Sequence, residues 1–253
     1  MTGCEIDSHA QRVAALLDQG SVVVLTGAGL STSCGIPDYR DHDGLWKRSR
    51  PIDHKDFLGS ESTRRRYWTR SFFGWPAVGQ ASPGRGHRAL AQLENRQRIA
   101  LLITQNVDGL HQKAGSRAVL ELHGGLARVL CLACRQTWPR AAVQDWMSAA
   151  NPGIAGAAAS IAPDGDADMA AGLHADFCIP ACPDCGGMLK PDVVFFGDSV
   201  PRERVSAAMA AIDAARGLLV VGSSLMVYSG FRFVEHAHQR GMPVMAIRGG
   251  PVP

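Results

Sequence analysis

A short β-branched run, Val22-Val23-Val24-Leu25, feeds directly into a glycine-rich segment, GAGLSTSCGIPDYR at residues 27–40, and no other feature narrows the fold as much. Four consecutive bulky apolar residues between Gly20 and Gly27 suit a strand buried on both faces, the kind found inside a parallel sheet. Parallel strands need a crossover connection, usually a helix, so strand, glycine turn and helix start follow one another as a nucleotide-binding α/β unit. Small residues in such a turn let backbone N–H groups approach a pyrophosphate, Ser31 and Ser33 add hydroxyls, and a helix start favours negative charge. Gly27 and Gly29 open a GxGxxG pattern, but Thr32 takes the third glycine position. Alone, the turn leaves a structural role and a dinucleotide cradle both open.

The alternation returns downstream. Residues 99–103, 217–221 and 244–247 read as strands, with helical patterns at 202–215 and 229–240 between them. Ahead of the first strand, Val13, Ala14, Leu16 and Leu17 recur at helical spacing over residues 8–19, with Ser8 placed to cap the start and Gly20 to end the helix. The expected fold is α/β, a Rossmann-like doubly wound parallel sheet with a smaller zinc-binding domain. Residues 1–45, 85–127 and 191–253 would make the discontinuous nucleotide-binding domain. Residues 46–84, with a helix at 61–70, and 128–190, with an Ala/Gly/Asp-rich surface insertion at 151–172, would make the small one. A chain of 253 residues, 46% hydrophobic, can bury both.

The formal charge of +3 is mild, and Arg64-Arg65-Arg66, the one tight basic run, reads as a solvated helix face, so no nucleic-acid partner is implied. Glu5, Asp7, Arg12 and Asp18 interrupt the first twenty residues, and no later apolar run is long enough to span a bilayer. The expectation is a cytoplasmic protein with no membrane partner.

Four of the seven cysteines form two CxxC pairs, Cys131/Cys134 and Cys182/Cys185, the second followed by Gly186-Gly187. Two such turns supply the four thiolates of a closed tetrahedral zinc site, structural because no position is left for a catalytic water. A redox dithiol is the alternative. Cys4, Cys34 and Cys178 are read as free thiols.

The segment GAGLSTSCGIPDYR is similar to the signature of the sirtuins, and further matches follow in order: TQNVDGLH at 104–111, LHG at 122–124, KPDVVFFG at 190–197 and GSSL at 222–225. With the cysteine pairs, the resemblance spans nearly the whole chain. Arg64-Arg65-Arg66-Tyr67-Trp68, the long insert between the cysteine pairs, and Val227-Tyr228-Ser229-Gly230 resemble the class II branch. The resemblance implies an NAD-dependent protein-lysine deacylase, with NAD as co-substrate, one structural Zn2+, and acyl-lysine proteins or peptides as substrates. His123 would be the general base that activates a ribose hydroxyl, and Asn106 and Asp108 would shape the nicotinamide pocket and complete the catalytic set. NAD contacts would come from Gly27, Ala28, Gly29, Ser31, Asp38, Tyr39, Arg40, Gln105, Asn106, Asp108, Gly222, Ser223 and Ser224. Val193, Phe195 and Phe196 would line the acyl-lysine cleft.

Three departures stand out. Cys34 replaces the usual serine of the loop. Tyr67 and Arg70 echo the YxxR pair of sirtuins that take acidic acyl chains, but the spacing to Gly86-His87 differs, so that preference is not carried over. The family's IN dipeptide is replaced by Ile247-Arg248, and the chain stops at Pro253, short of the usual final segment. A protein ADP-ribosyltransferase and a non-catalytic NAD or ADP-ribose binder are the alternatives. The acyl chain and oligomeric state stay open.

Overall fold

The computed structural model describes residues 3–38, 51–154 and 175–247. Its main sheet has five parallel strands, β1 (Val22–Thr26), β2 (Ile99–Thr104), β3 (Val119–Glu121), β7 (Gly217–Val221) and β8 (Val244–Ile247), in the order β3-β2-β1-β7-β8. Strand β1 pairs with β2 from Val22↔Ile99 to Thr26↔Thr104, and with β7 from Val22↔Gly217 to Thr26↔Val221. Its side chains alternate between two cores. Val23 and Leu25 pack with Ile103, Leu218 and Val220 under α7 (Arg202–Asp213) and α8 (Tyr228–Gln239). Val22 and Val24 face the other way, against Leu16 and Leu17 of α1 (Gly3–Asp18) and Leu90 of α4 (Arg85–Asn95). With helices on both faces, β1 is apolar without interruption, each side chain contributing about 1.5–3 kcal/mol by its burial.

The helix before β1 starts earlier than its sequence pattern suggests. Because α1 already includes Gly3, Ser8 lies inside it and does not cap it. Gly20 does end the segment, in a left-handed conformation (φ 72°) with its N–H on the Leu17 carbonyl at 3.0 Å.

A second, antiparallel sheet, ordered β5-β4-β6, contains β4 (Gly124–Cys131), β5 (Thr137–Pro139) and β6 (Leu189–Val193). Val129 and Leu189 from this sheet share a core with Trp68 and Phe72 of α3 (Glu61–Gln80) and with Val143 and Met147 of α6 (Arg140–Ala150). Helix α3 continues well beyond the expected end at residue 70 and crosses Pro76. Proline cannot donate to the carbonyl of Phe72. Gln144 of α6 does so instead at 3.0 Å, while Arg140 donates to the Ser71 carbonyl at 3.0 Å and to its hydroxyl at 3.1 Å. Arg140 is buried between Trp68 and Trp75, its guanidinium 5.8 and 5.2 Å from their ring centroids. Burial brings its pKa down to about 10, which leaves it charged at neutral pH.

The basic run on α3 is more than a solvated face. Arg64 donates to the carbonyls of Phe57 and Leu58 at 3.0 and 2.9 Å, and Arg65 pairs with Glu61 at 2.6 Å. Among the described residues no helix is long and apolar enough to cross a membrane.

Candidate active site

The strand order reverses at β1, so the connections leaving β1, β2 and β7 meet at the carboxyl edge of the sheet, where open α/β sheets bind their ligands. After β1 the glycine segment makes two 3-10 turns, Ala28–Leu30 and Thr32–Cys34, closed by Gly35 at φ 81°. Gly27 N–H bonds the Val221 carbonyl at 3.2 Å, and Gly29 N–H bonds that of Gly222 at 2.8 Å. A Cβ on Gly27 would come within 2.8 Å of the Ser223 Cα, and one on Gly29 within 2.9 Å of the Gly222 oxygen. The two backbones meet only because both residues are glycine.

Ser31 is the buried hub of this corner. Its hydroxyl donates to the Asp108 carboxylate at 2.7 Å and accepts from the Asn106 amide at 3.1 Å; the same amide donates to the Gly27 carbonyl at 3.1 Å. The second Asp108 oxygen accepts from the Leu110 N–H at 2.9 Å. Both Asn106 donors are thereby used inside the protein, which leaves its carbonyl oxygen as that side chain's acceptor. Ser31 points inward to Asp108, where the sequence suggested a hydroxyl offered to a phosphate.

Beneath the loop lies a layer that the sequence did not reveal. The Thr26 hydroxyl donates to Thr104 Oγ1 at 2.9 Å and lies 3.0 Å from His111 Nε2, so it accepts from that nitrogen. Among the described residues His111 Nδ1 has no partner, and burial, reinforced by His87, brings the ring's pKa down to about 3. The His87 ring lies 4.8 Å from that of His111, accepts from Gly84 N–H through Nδ1 at 3.2 Å, and faces Ser31 Oγ with Nε2 at 3.5 Å.

His123 stands between β3 and β4. Its Nδ1 is 3.0 Å from the Gln105 carbonyl and its Nε2 is 2.8 Å from the Ser229 hydroxyl. Burial lowers its pKa below the usual histidine value; the Gln105 carbonyl opposes that shift, while Arg204 and Arg232 add to it. The Gln105 amide donates to Ser223 Oγ at 2.8 Å, linking the ends of β2 and β7. Ser224 is exposed beside it.

Val193 ends β6 opposite Gly124, next to His123. Phe195 is buried against Phe57 and Tyr67, with ring centroids at 5.1 and 5.2 Å, and the Phe196 carbonyl accepts from His54 N–H at 2.9 Å. Asp38 is half-buried at the end of the described loop. Tyr39, Arg40 and Arg248, together with most of the insertion at 151–172, lie outside the described residues.

The four CxxC sulfurs lie within 4.8 Å of one another, with Cys131–Cys185 at 3.5 Å and Cys134–Cys182 at 3.8 Å. Tetrahedral zinc–thiolate bonds of about 2.3 Å put sulfurs about 3.8 Å apart, so the set fits zinc. Backbone N–H groups of Cys134 and Ala133 hold the Cys131 thiol down to about 6, while the neighbouring Cys185 sulfur and burial push Cys134 up to about 12, so it is a bound cation that would hold all four sulfurs as thiolates. A Cβ on Gly187 would come within 2.9 Å of Cys131 Sγ, so the knuckle needs glycine there. Cys34 and Cys178 are free thiols, as expected.

The family model that matches, over residues 27–229, is described as the Sir2 family. An NAD-dependent protein deacetylase of Xanthomonas campestris pv. campestris (strain 8004) is 56% identical over 227 residues, covering 90% of this chain and 78% of the relative. One from Bordetella bronchiseptica is 55% identical, covering 90% and 83%. Among solved structures, a Sir2 complex with a p53 peptide and NAD+ superposes with a TM-score of 0.76 at 29% identity, covering 96% of this chain and 87% of that one. A Sir2 complex with the inhibitor EX-527, 2′-O-acetyl-ADP-ribose and deacetylated p53 peptide gives 0.74 at 28% identity, covering 96% and 88%.

Proposed function

The chain belongs to the Sir2 family, and from that premise we propose that His123, Asn106 and Asp108 carry the chemistry of an NAD-dependent protein deacetylase. The activity itself is that of the family: acetyl groups leave protein lysines at the expense of NAD. Deacetylase relatives at 56 and 55% identity, and the Sir2 complex with 2′-O-acetyl-ADP-ribose and deacetylated peptide, favour it over ADP-ribosyl transfer to protein or binding without turnover.

The observation that carries the residue assignment is the orientation of His123. A carbonyl only accepts, so Nδ1 holds the ring proton against Gln105 and Nε2 keeps the lone pair a general base needs. Burial, helped by Arg204 and Arg232, keeps the ring neutral and ready at physiological pH.

NAD would lie along the carboxyl edge of the sheet. Gly27, Ala28, Gly29, Asp38, Tyr39 and Arg40 would contribute from the first loop, with Ser31 acting through its hold on Asp108, Gln105 from the second, and Gly222, Ser223 and Ser224 from the third. The chemistry NAD supplies is a nicotinamide–ribose bond whose cleavage leaves positive charge on the ribose. Asp108, held by Ser31 and the Leu110 N–H, is a fixed negative charge at that end. Asn106, whose side-chain N–H groups are taken by Gly27 and Ser31, would offer its carbonyl oxygen to the nicotinamide amide. Val193, Phe195 and Phe196 would border the acyl-lysine cleft, with the peptide added as a strand. Residues 1–45, 85–127 and 191–253 would act as the NAD-binding domain, and 46–84 with 128–190 as the small one. Cys131, Cys134, Cys182 and Cys185 would hold one structural zinc. Free Cys34 and Cys178 suit a reducing, cytoplasmic location.

The test is His123→Ala assayed with an acetyl-lysine peptide and NAD. Deacetylation should nearly vanish with zinc content unchanged; wild-type turnover would defeat the assignment.

A further inference from the structure

The contact between Ser229 and His123 has a direction that the rest of the site fixes. With the ring proton on Nδ1, the Nε2 lone pair can only accept, and the Ser229 hydroxyl at 2.8 Å donates to it. Ser229 sits in the first turn of α8, a helix brought close to the site because its next residue is glycine. A Cβ on Gly230 would come within 2.6 Å of Gln105 Oε1. Gln105 therefore touches both groups: its carbonyl orients the ring of His123, and its side chain rests where α8 approaches.

We infer that Ser229 is a positioning residue, whose hydroxyl holds the His123 ring by its Nε2 lone pair and yields that lone pair to the ribose hydroxyl when NAD binds. This rests on His123 being the base. No heavy-atom bond changes in the exchange: the Ser229 O–H turns away, the ribose O–H takes its place on Nε2, and the proton later taken by Nε2 comes from the ribose oxygen. The charged groups facing His123 are Arg204 of α7 and Arg232 of α8. Arg204 lies 3.9 Å from Asp192 of β6, which is also bonded to Arg128 of β4 at 2.9 Å. Both guanidinium groups disfavour an imidazolium, and donation from Ser229 to the neutral ring acts in the same direction.

The protein with acetyl-lysine peptide provides the test. kcat and kcat/KM for NAD are measured from acid to alkaline pH for wild type, Ser229→Ala, Ser229→Thr and His123→Ala, with zinc content and circular dichroism as checks on folding. Loss of one hydrogen bond to the neutral ring should move the acid limb of kcat/KM for Ser229→Ala up by about half a unit to one unit. The limb of kcat should stay in place, because kcat/KM reports the free enzyme and kcat the complex. Ser229→Thr should restore the wild-type profile. An unmoved kcat/KM limb in Ser229→Ala, or a displaced one in Ser229→Thr, overturns the inference, and equal movement of both limbs overturns the handover. Should Ser229→Ala fail the folding checks, Ser229→Cys, a weak donor, reads the same limb. Continued deacetylation by His123→Ala would instead strike the underlying assignment, and the two failures are distinguishable.

Discussion

Acid should loosen this protein through His111. Its Nε2 donates to Thr26, while its Nδ1, where a second proton would go, is buried with no acceptor, and the folded-state pKa is about 3. Between about pH 3 and 6.5 the unfolded chain carries a proton on this residue that the folded chain does not, so stability rises with pH across that window and is lost as pH falls below 6.5. One proton is worth about 1.4 kcal/mol per pH unit, so acidification from pH 7 to 5 should cost about 2 kcal/mol through His111 alone. His111→Gln keeps an N–H for Thr26 but does not titrate. Urea unfolding at pH 7 and pH 5, with equal zinc supplied, should show wild type losing about 2 kcal/mol more than the variant. Proton uptake by the cysteine cluster is common to both proteins and cancels in the difference. Equal losses would refute the argument, since they would mean that the buried ring takes its proton as readily as a solvated one.

Ser31→Ala removes a hydrogen bond to a carboxylate and one from Asn106, a loss of about 2–4 kcal/mol. A melting temperature lowered by roughly 5–15 °C, together with slower nicotinamide release, is the expected outcome of calorimetry and turnover assays. Cys182→Ser should reduce bound zinc from about one per chain to near zero by metal analysis and destabilise the antiparallel sheet. A folded wild-type protein without zinc would contradict the assignment. Gln144→Leu leaves the Phe72 carbonyl unpaired, at a cost of about 1–3 kcal/mol in urea melts, and also takes from Arg140 an acceptor at 2.7 Å; Pro76→Ala in that background should recover the Phe72 part alone by restoring an N–H.

The parts of this structure that could be read from sequence are those set by local pattern. The strand ending at the glycine loop, the later strands at 99–104, 217–221 and 244–247, and the two cysteine pairs each carry their signal within a few residues. The antiparallel sheet does not, because β5 has only three residues and β6, the other partner of β4, lies far along the chain, with Cys131 opposite Leu189. Helix α3 crosses Pro76 against the local rule because its freed carbonyl is satisfied by Gln144, a contact only the tertiary fold supplies. Within the site, Asn106, Asp108 and His123 were visible through their ordered motifs. The inward turn of Ser31 and the His87–His111 layer were not, since a histidine in a helix or loop announces no partner. In the sequence Ser229 stands out only as part of VYSG; its contact with His123 depends on how closely α8 can approach at Gly230.

The most direct measurement is the product balance of one reaction: the protein with NAD and an acetyl-lysine peptide, read by mass spectrometry. The account predicts nicotinamide, deacetylated peptide and 2′-O-acetyl-ADP-ribose in equal amounts, all lost together in His123→Ala. Nicotinamide release accompanied by ADP-ribosylated protein, or NAD binding with the peptide left acetylated, would contradict it.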